Sequence, residues 1–138
     1  MAPPRTVSHR QLVAAAKAVA HPTRLRILAM LQPGEMCVCQ LSTILQAAAS
    51  TVSGHLNDLR RAGLVVENKV GKLVYYSLDQ ESPFTEWLRR TLALVADDPQ
   101  VRDDAAVIRK VQAVPIPLLT QGGLSLDEIR RRRTMKSA

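Results

Sequence analysis

Aromatic side chains are scarce in this sequence. Tyr75, Tyr76, Phe84 and Trp87 make up 3% of 138 residues. That is too few for a platform on which unpaired bases stack, which argues against a reader of single strands. Cysteine is scarcer still, with Cys37 and Cys39 one residue apart. There is no C-x-x-C, no Gly-rich phosphate loop and no nucleophile–base spacing, so nothing points to an enzyme. No apolar run approaches the ~18 residues that cross a bilayer, and the stretch MAPPRTVSHRQ lacks the apolar core of a leader. The expectation is a cytoplasmic protein with no membrane partner. Thiols stay reduced there, so two cysteines are read as ligands or sensors before they are read as a bridge.

Hydrophobic residues make up 46% of the chain, enough to bury a core in one small domain with an extension. The net charge of +7 calls for a polyanionic partner. With so few aromatics, that partner is expected to be duplex DNA.

Periodicity predicts the elements in order. Residues 8–20 read as a helix with Ser8 as cap and Leu12, Ala15, Ala16 and Val19 on one face. Residues 21–34 open on Pro22, carry Leu25, Leu28 and Leu31 on a stripe, and stop at Pro33–Gly34. Residues 36–46 read as a third helix with Leu41, Ile44 and Leu45 inward. Residues 47–63 read as a fourth, with Val52, Leu56 and Leu59 inward and Gly63 at its end. The pattern then switches to two β-rich runs around Val70–Gly71–Lys72, a hairpin within 64–78. Residues 82–96 return to helix, with Phe84, Trp87, Leu88, Thr91, Leu92 and Val95 on one face. The fold class is therefore mainly α with a small β-hairpin wing: a winged helix-turn-helix over residues 1–96. Residues 97–138 form a C-terminal extension with one or two short helices. Asp98–Pro99 opens one of them and the Ser125/Glu128 capping box another, with 114–123 as a break between. The basic run Arg130–Arg133 is expected to be accessory.

The fourth helix turns Ser50, Gly54, Asn57 and Arg61 outward, flanked by Thr51 and Ser53. A solvated helix face is usually rich in Glu, Lys and Ala. Small hydroxyl residues are poor helix formers, and a face made of them suits close approach to a major groove. His55, at the edge of the buried stripe, is either a packing residue or a base contact. Lys69 and Lys72 flank the wing tip as phosphate contacts or as solvated turn lysines.

The segments HPTRLRILAML, EMCVCQLS, STVSGHLNDLRRAGLV and GKLVYYSL, in this order over residues 10–96, resemble the ArsR/SmtB family of metalloid- and metal-responsive repressors. The resemblance implies a homodimer built through the first and fifth helices. It implies an inverted-repeat operator, and an inducer that releases the repressor from it. It places Ser50, Thr51, Ser53 and His55 where the family contacts DNA. Two departures stand out. The fourth helix begins in QAAA without a capping side chain, a loss of about 1 kcal/mol, and Gly54 stands where a larger polar residue is common.

Thiolates are soft ligands that select As(III), Sb(III), Cd(II) or Pb(II) over hard ions. Cys37 and Cys39 at the start of a helix lie where N–H groups and the dipole lower a thiol pKa. Residues i and i+2 point apart on a helix, so gripping one ion is expected to unwind the helix start. The arsenic-responsive branch of the family carries its inducer thiols in this segment. The reading is a repressor with no constitutive cofactor, released when As(III), Sb(III) or methylarsenite binds Cys37 and Cys39. A thiol redox sensor and a Cd/Pb-responsive repressor are the alternatives. Where the family often has a third Cys, this chain has Ser42, a poor arsenic ligand. A zinc site on the fifth helix is rejected, because residues 82–96 hold no His and only Glu86; His9, His21 and His55 do not cluster in sequence.

Overall fold

Ser8 caps the first helix as its position suggests: its hydroxyl accepts from the Gln11 N–H and the Gln11 side chain returns the bond. The computed structural model describes residues 6–132. Within it α1 (His9–Val19) leads to α2 (Pro22–Met30), whose first turn accommodates Pro22 because no N–H is needed there. A two-residue strand β1 (Met36–Cys37) precedes α3 (Val38–Leu45), and α4 (Ala49–Arg61) follows after a short turn. Gln46 ends α3 in the left-handed region, φ 53°. The hairpin is β2 (Val65–Val70) and β3 (Leu73–Leu78), joined at Gly71, whose φ of 61° suits a residue without Cβ. α5 (Thr85–Ala93), α6 (Pro99–Gln112), α7 (Ile116–Thr120) and α8 (Leu126–Arg131) complete the order.

The sheet runs β1–β3–β2, all antiparallel. Met36 faces Tyr76 and Cys37 faces Tyr75, so β1 is an added strand on the free side of the wing. The cysteine segment is thus half strand and half helix, which corrects the expectation of one helix over 36–46. Cys37 is the last extended residue, φ −76° and ψ 151°, and occupies the cap position of α3.

The inward stripes of α3 and α4 hold, with Leu41, Ile44, Val52, Leu56 and Leu59 all buried and Leu45 half-buried. On α1 the buried residues are Ala15, Ala18 and Val19, whereas Leu12 is 47% exposed and Ala16 is exposed. The apolar stripe of α1 is thus wider than one chain can cover.

The C-terminal extension departs most from expectation. It holds three described helices, the first of fourteen residues, and α7 occupies part of the segment read as a break. Val107, Ile108, Val111, Val114, Leu126 and Ile129 join the same core cluster as α1–α5. Arg26 on α2 donates two hydrogen bonds to the buried Asp104 on α6, 2.8 and 2.9 Å, and Gln100 adds a third at 3.0 Å. A forked guanidinium on a carboxylate fixes orientation as well as distance, so α6 is tied to the domain. Of the basic run, Arg130, Arg131 and Arg132 are exposed, the first two on the short capped helix α8. Arg130 pairs with Asp103 at 2.8 Å and its carbonyl accepts from Lys110, so it belongs to the packing of α8 on α6. Arg133 lies outside the described residues.

Candidate thiol site and nucleic-acid interface

Because Cys37 is extended and Cys39 lies in the first turn of α3, the two side chains converge. The Cys39 thiol donates to the Cys37 sulfur at 2.8 Å, and both cysteines are free. This overturns the argument that i and i+2 must point apart. That rule holds inside a helix, and here the strand–helix junction falls between the two residues. No unwinding is needed to bring both sulfurs to one atom. Gln40 supports the arrangement, its side-chain oxygen accepting from the Cys37 N–H at 2.9 Å.

A lowered thiol pKa is also overturned for Cys39. Burial, together with the bond to Cys37, pushes it up to about 12. A neutral thiol is a slow nucleophile and oxidises slowly. It condenses readily, however, with a reagent that brings its own hydroxide to carry the proton away as water.

The pair opens on a cavity of about 570 Å³. Its walls come from four places: Ser42 and Thr43 on α3, Ala49 and Ser53 on α4, Lys72 and Val74 on the wing, and Leu119 with Thr120 from α7. The Ser42 and Thr43 hydroxyls donate to the Val38 and Cys39 carbonyls, each at 2.8 Å. Among the described residues no three His, Cys, Asp or Glu side chains are grouped to hold a metal ion.

On α4, Ser50, Thr51, Ser53, Gly54 and Arg61 are exposed. A Cβ placed on Gly54 would meet nothing within 4 Å, so packing within the chain does not require glycine there. Asn57 is half-buried and accepts from Arg60 at 2.8 Å, which engages its carbonyl. His55 packs against His21, ring centroids 4.6 Å apart, with its Nδ1 buried and unpaired. Burial, and behind it the nearby His21 and Arg24, lowers its pKa. Of the two readings of His55, packing describes it better. Lys69 and Lys72 are exposed at the wing. Ala48 caps α4 without a side-chain bond, as the QAAA start implies.

Comparison with known proteins fits this arrangement. The profile of the bacterial regulatory protein arsR family matches residues 21–66, from the start of α2 into β2. The arsenic resistance transcriptional regulator ArsR2 of Pseudomonas putida is 30% identical over 103 residues, 72% of this chain and 88% of that protein. The chain belongs to the ArsR family. This is a family of DNA-binding regulators, not of enzymes. A second relative, the cadmium resistance transcriptional regulatory protein CadC homolog of Staphylococcus aureus, is 44% identical over 66 residues, 47% of this chain. The chain spans only 54% of that relative's length. Among solved structures, a homodimeric winged helix-turn-helix DNA-binding domain of Mycobacterium bovis superposes with a TM-score of 0.56 at 31% identity. It covers 64% of this chain and 81% of its own. The winged fold read from the sequence is therefore that of an ArsR-family regulator.

Several residues of this ArsR-family site escape sequence reasoning. Val74, Leu119 and Thr120 join the cysteines only through tertiary packing, α7 from some eighty residues away. No periodicity or spacing signals such a contact. His21 and His55, apart in sequence, meet in space.

Proposed function

We propose that this ArsR-family chain is a cytoplasmic, homodimeric transcriptional repressor. It binds an inverted-repeat operator and is released by trivalent arsenic or antimony, methylarsenite included, bonded to Cys37 and Cys39. The observation that carries the reading is the meeting of the two sulfurs at 2.8 Å on a cavity shared with α4 and the wing. Ser50, Thr51, Ser53, Gly54, Asn57 and Arg61 would face the groove, and Lys69 and Lys72 the phosphates. A ligand filling the space between the thiols and Ser53 or Lys72 acts directly on the DNA-facing elements. Its binding energy then favours whichever arrangement of α4 and wing leaves it room. A second copy is supported by apolar residues that one chain leaves uncovered: Leu12 and Val13 on α1, 47% and 46% exposed, and Leu94 just past α5, 86% exposed.

DNA fragments selected by the protein from a random duplex library supply the probe. Fluorescence anisotropy then follows release by arsenite, antimonite, methylarsenite, Cd(II) and Pb(II). Arsenite, antimonite and methylarsenite are expected to release the wild type, while Cys37→Ser and Cys39→Ser bind DNA normally and stay bound. Release of either variant by arsenite, or release of the wild type by the divalent ions alone, refutes the reading.

A further inference from the structure

The cavity is far larger than an inorganic ligand needs. A third hydroxide on arsenic takes about the room of one water, ~30 Å³. The volume of about 570 Å³ instead lies within the range of roughly 300–1,000 Å³ typical of sites for organic molecules. The walls beside the sulfurs are largely apolar, from Val38, Ala47, Leu73, Val74 and Leu119. Lys72 is the one charged side chain among those lining it, which disfavours a bare cation. The α3 hydroxyls have their protons committed to carbonyls of their own helix. Two sulfurs are in place and a third ligand is not, so one position on arsenic is left for a group that the protein does not supply.

We infer that this cavity seats an apolar organic group carried on trivalent arsenic, larger than methyl, and that Leu119 of α7 is the wall that selects it. The inference rests on the proposed thiol site and deepens it by naming the ligand class: a monosubstituted organoarsenical, aryl rather than methyl. The bonding step balances without an oxidant. Two As–O bonds of R–As(OH)₂ break and two As–S bonds form, to Cys37 and Cys39. Each thiol proton leaves on a departing hydroxide as water, and arsenic stays trivalent. The substituent R then projects from the sulfur pair into the space between α4, the wing and α7. α7 suits a wall that adapts to its guest. None of its residues is buried, and its end turns at Gly122, φ 68°, with the Gly123 N–H donating to the Leu118 carbonyl at 3.0 Å.

The test uses the full chain and three probes: arsenite, methylarsenite and phenylarsenite. Titration of free thiols and release of selected DNA are both followed, in the wild type, Leu119→Ala and Leu119→Trp. Methyl and phenyl compounds fill the same two sulfur positions, so their ratio, normalised to the ratio on a small free dithiol, isolates the cavity. The wild type is expected to favour phenyl by about tenfold after normalisation, the worth of burying part of a ring. Leu119→Ala, which removes the wall, and Leu119→Trp, which narrows the space beside the sulfurs, both lower that preference; circular dichroism and urea unfolding of the two variants serve as the folding control. If phenyl and methyl shift together in both variants, or the wild type shows no normalised preference, the inference is overturned while the thiol site stands. If none of the three probes protects the thiols of the wild type, the proposed function itself fails and the inference falls with it.

Discussion

Two successive helices of the extension, α6 and α7, meet α3 in opposite ways. α6 is held. Asp98 caps it with bonds to the Gln100 and Val101 N–H groups, Val107, Ile108 and Val111 are buried, and Asp104 is clasped by Arg26. α7 merely rests: it has five residues, no side-chain cap and no buried residue, yet Leu119 and Thr120 reach the thiol cavity. The same extension therefore separates two tasks. Stability resides where side chains are committed to the core, and adjustability where they are not.

The contrast can be broken most sharply at Asp104. Asp104→Ala leaves Arg26 without its partner, and because that guanidinium is 26% exposed, water recovers part of the loss. The expected cost is about 2–4 kcal/mol, read from urea unfolding. A cost below ~1 kcal/mol would mean that α6 is no better anchored than α7.

The second expectation concerns a thiol that lines the cavity together with α7. With Cys39 pushed up to about 12 by burial and its bond to Cys37, its alkylation at pH 8 should run at least about a hundredfold slower than that of a free thiol, as mapped by mass spectrometry. The sign for stability follows. A raised acid pKa means that the fold holds its proton more tightly than the unfolded chain does. The contribution is then complete below pH 9.0, the ordinary thiol value, and is lost as pH climbs toward about 12. Cys39→Ser should flatten that alkaline limb. Fast alkylation at neutral pH would show a thiolate and reopen the redox alternative.

A smaller, selective change is expected at Ser42, which lines the cavity one turn after the thiols. Ser42→Cys supplies a third sulfur, so DNA release by arsenite should sharpen more than release by methylarsenite, which has only two positions to fill. Equal shifts in both dose–response curves would show that position 42 is not a missing ligand. The smallest effect belongs to α7 itself. Leu118 is 40% exposed, and Leu118→Ser should change stability by no more than ~0.5 kcal/mol in thermal melts. A larger loss would place α7 with α6 and remove the distinction between them.

Local signals made most of the fold legible. Ser8, Pro22, Asp98 with Pro99, and Ser125 with Glu128 each mark a helix start within four residues, and the structure uses all of them, adding Gln11 as the reciprocal partner of Ser8. The α4 stripe and the Gly71 turn were equally plain, since periodicity and φ > 0 are properties of short windows. The misses share a cause. β1 is two residues long, too short to have a period, and is a strand only because Tyr75 and Tyr76 pair with it. In VPIPLL the prolines suggested a break, yet Pro115 and Pro117 fall at the cap and the first turn, where a helix tolerates them. Asp104 carries no local signal of its role, because its partner is a guanidinium 78 residues earlier. In the candidate site the two cysteines were visible from their scarcity, but their convergence depended on β1, and the cavity wall depended on α7.

The junction between Cys37 and Cys39 is also a change of stride. The chain advances about 3.3 Å per residue along a strand and 1.5 Å along a helix, and the two sulfurs stand on either side of the step. A single atom bonded to both closes a small ring across it, converting a pivot into a weld. Strand and helix would then be coupled. Because Cys37 is paired with Tyr75, a displacement of the welded junction would reach the wing through the sheet backbone, with no side chain needed as intermediary.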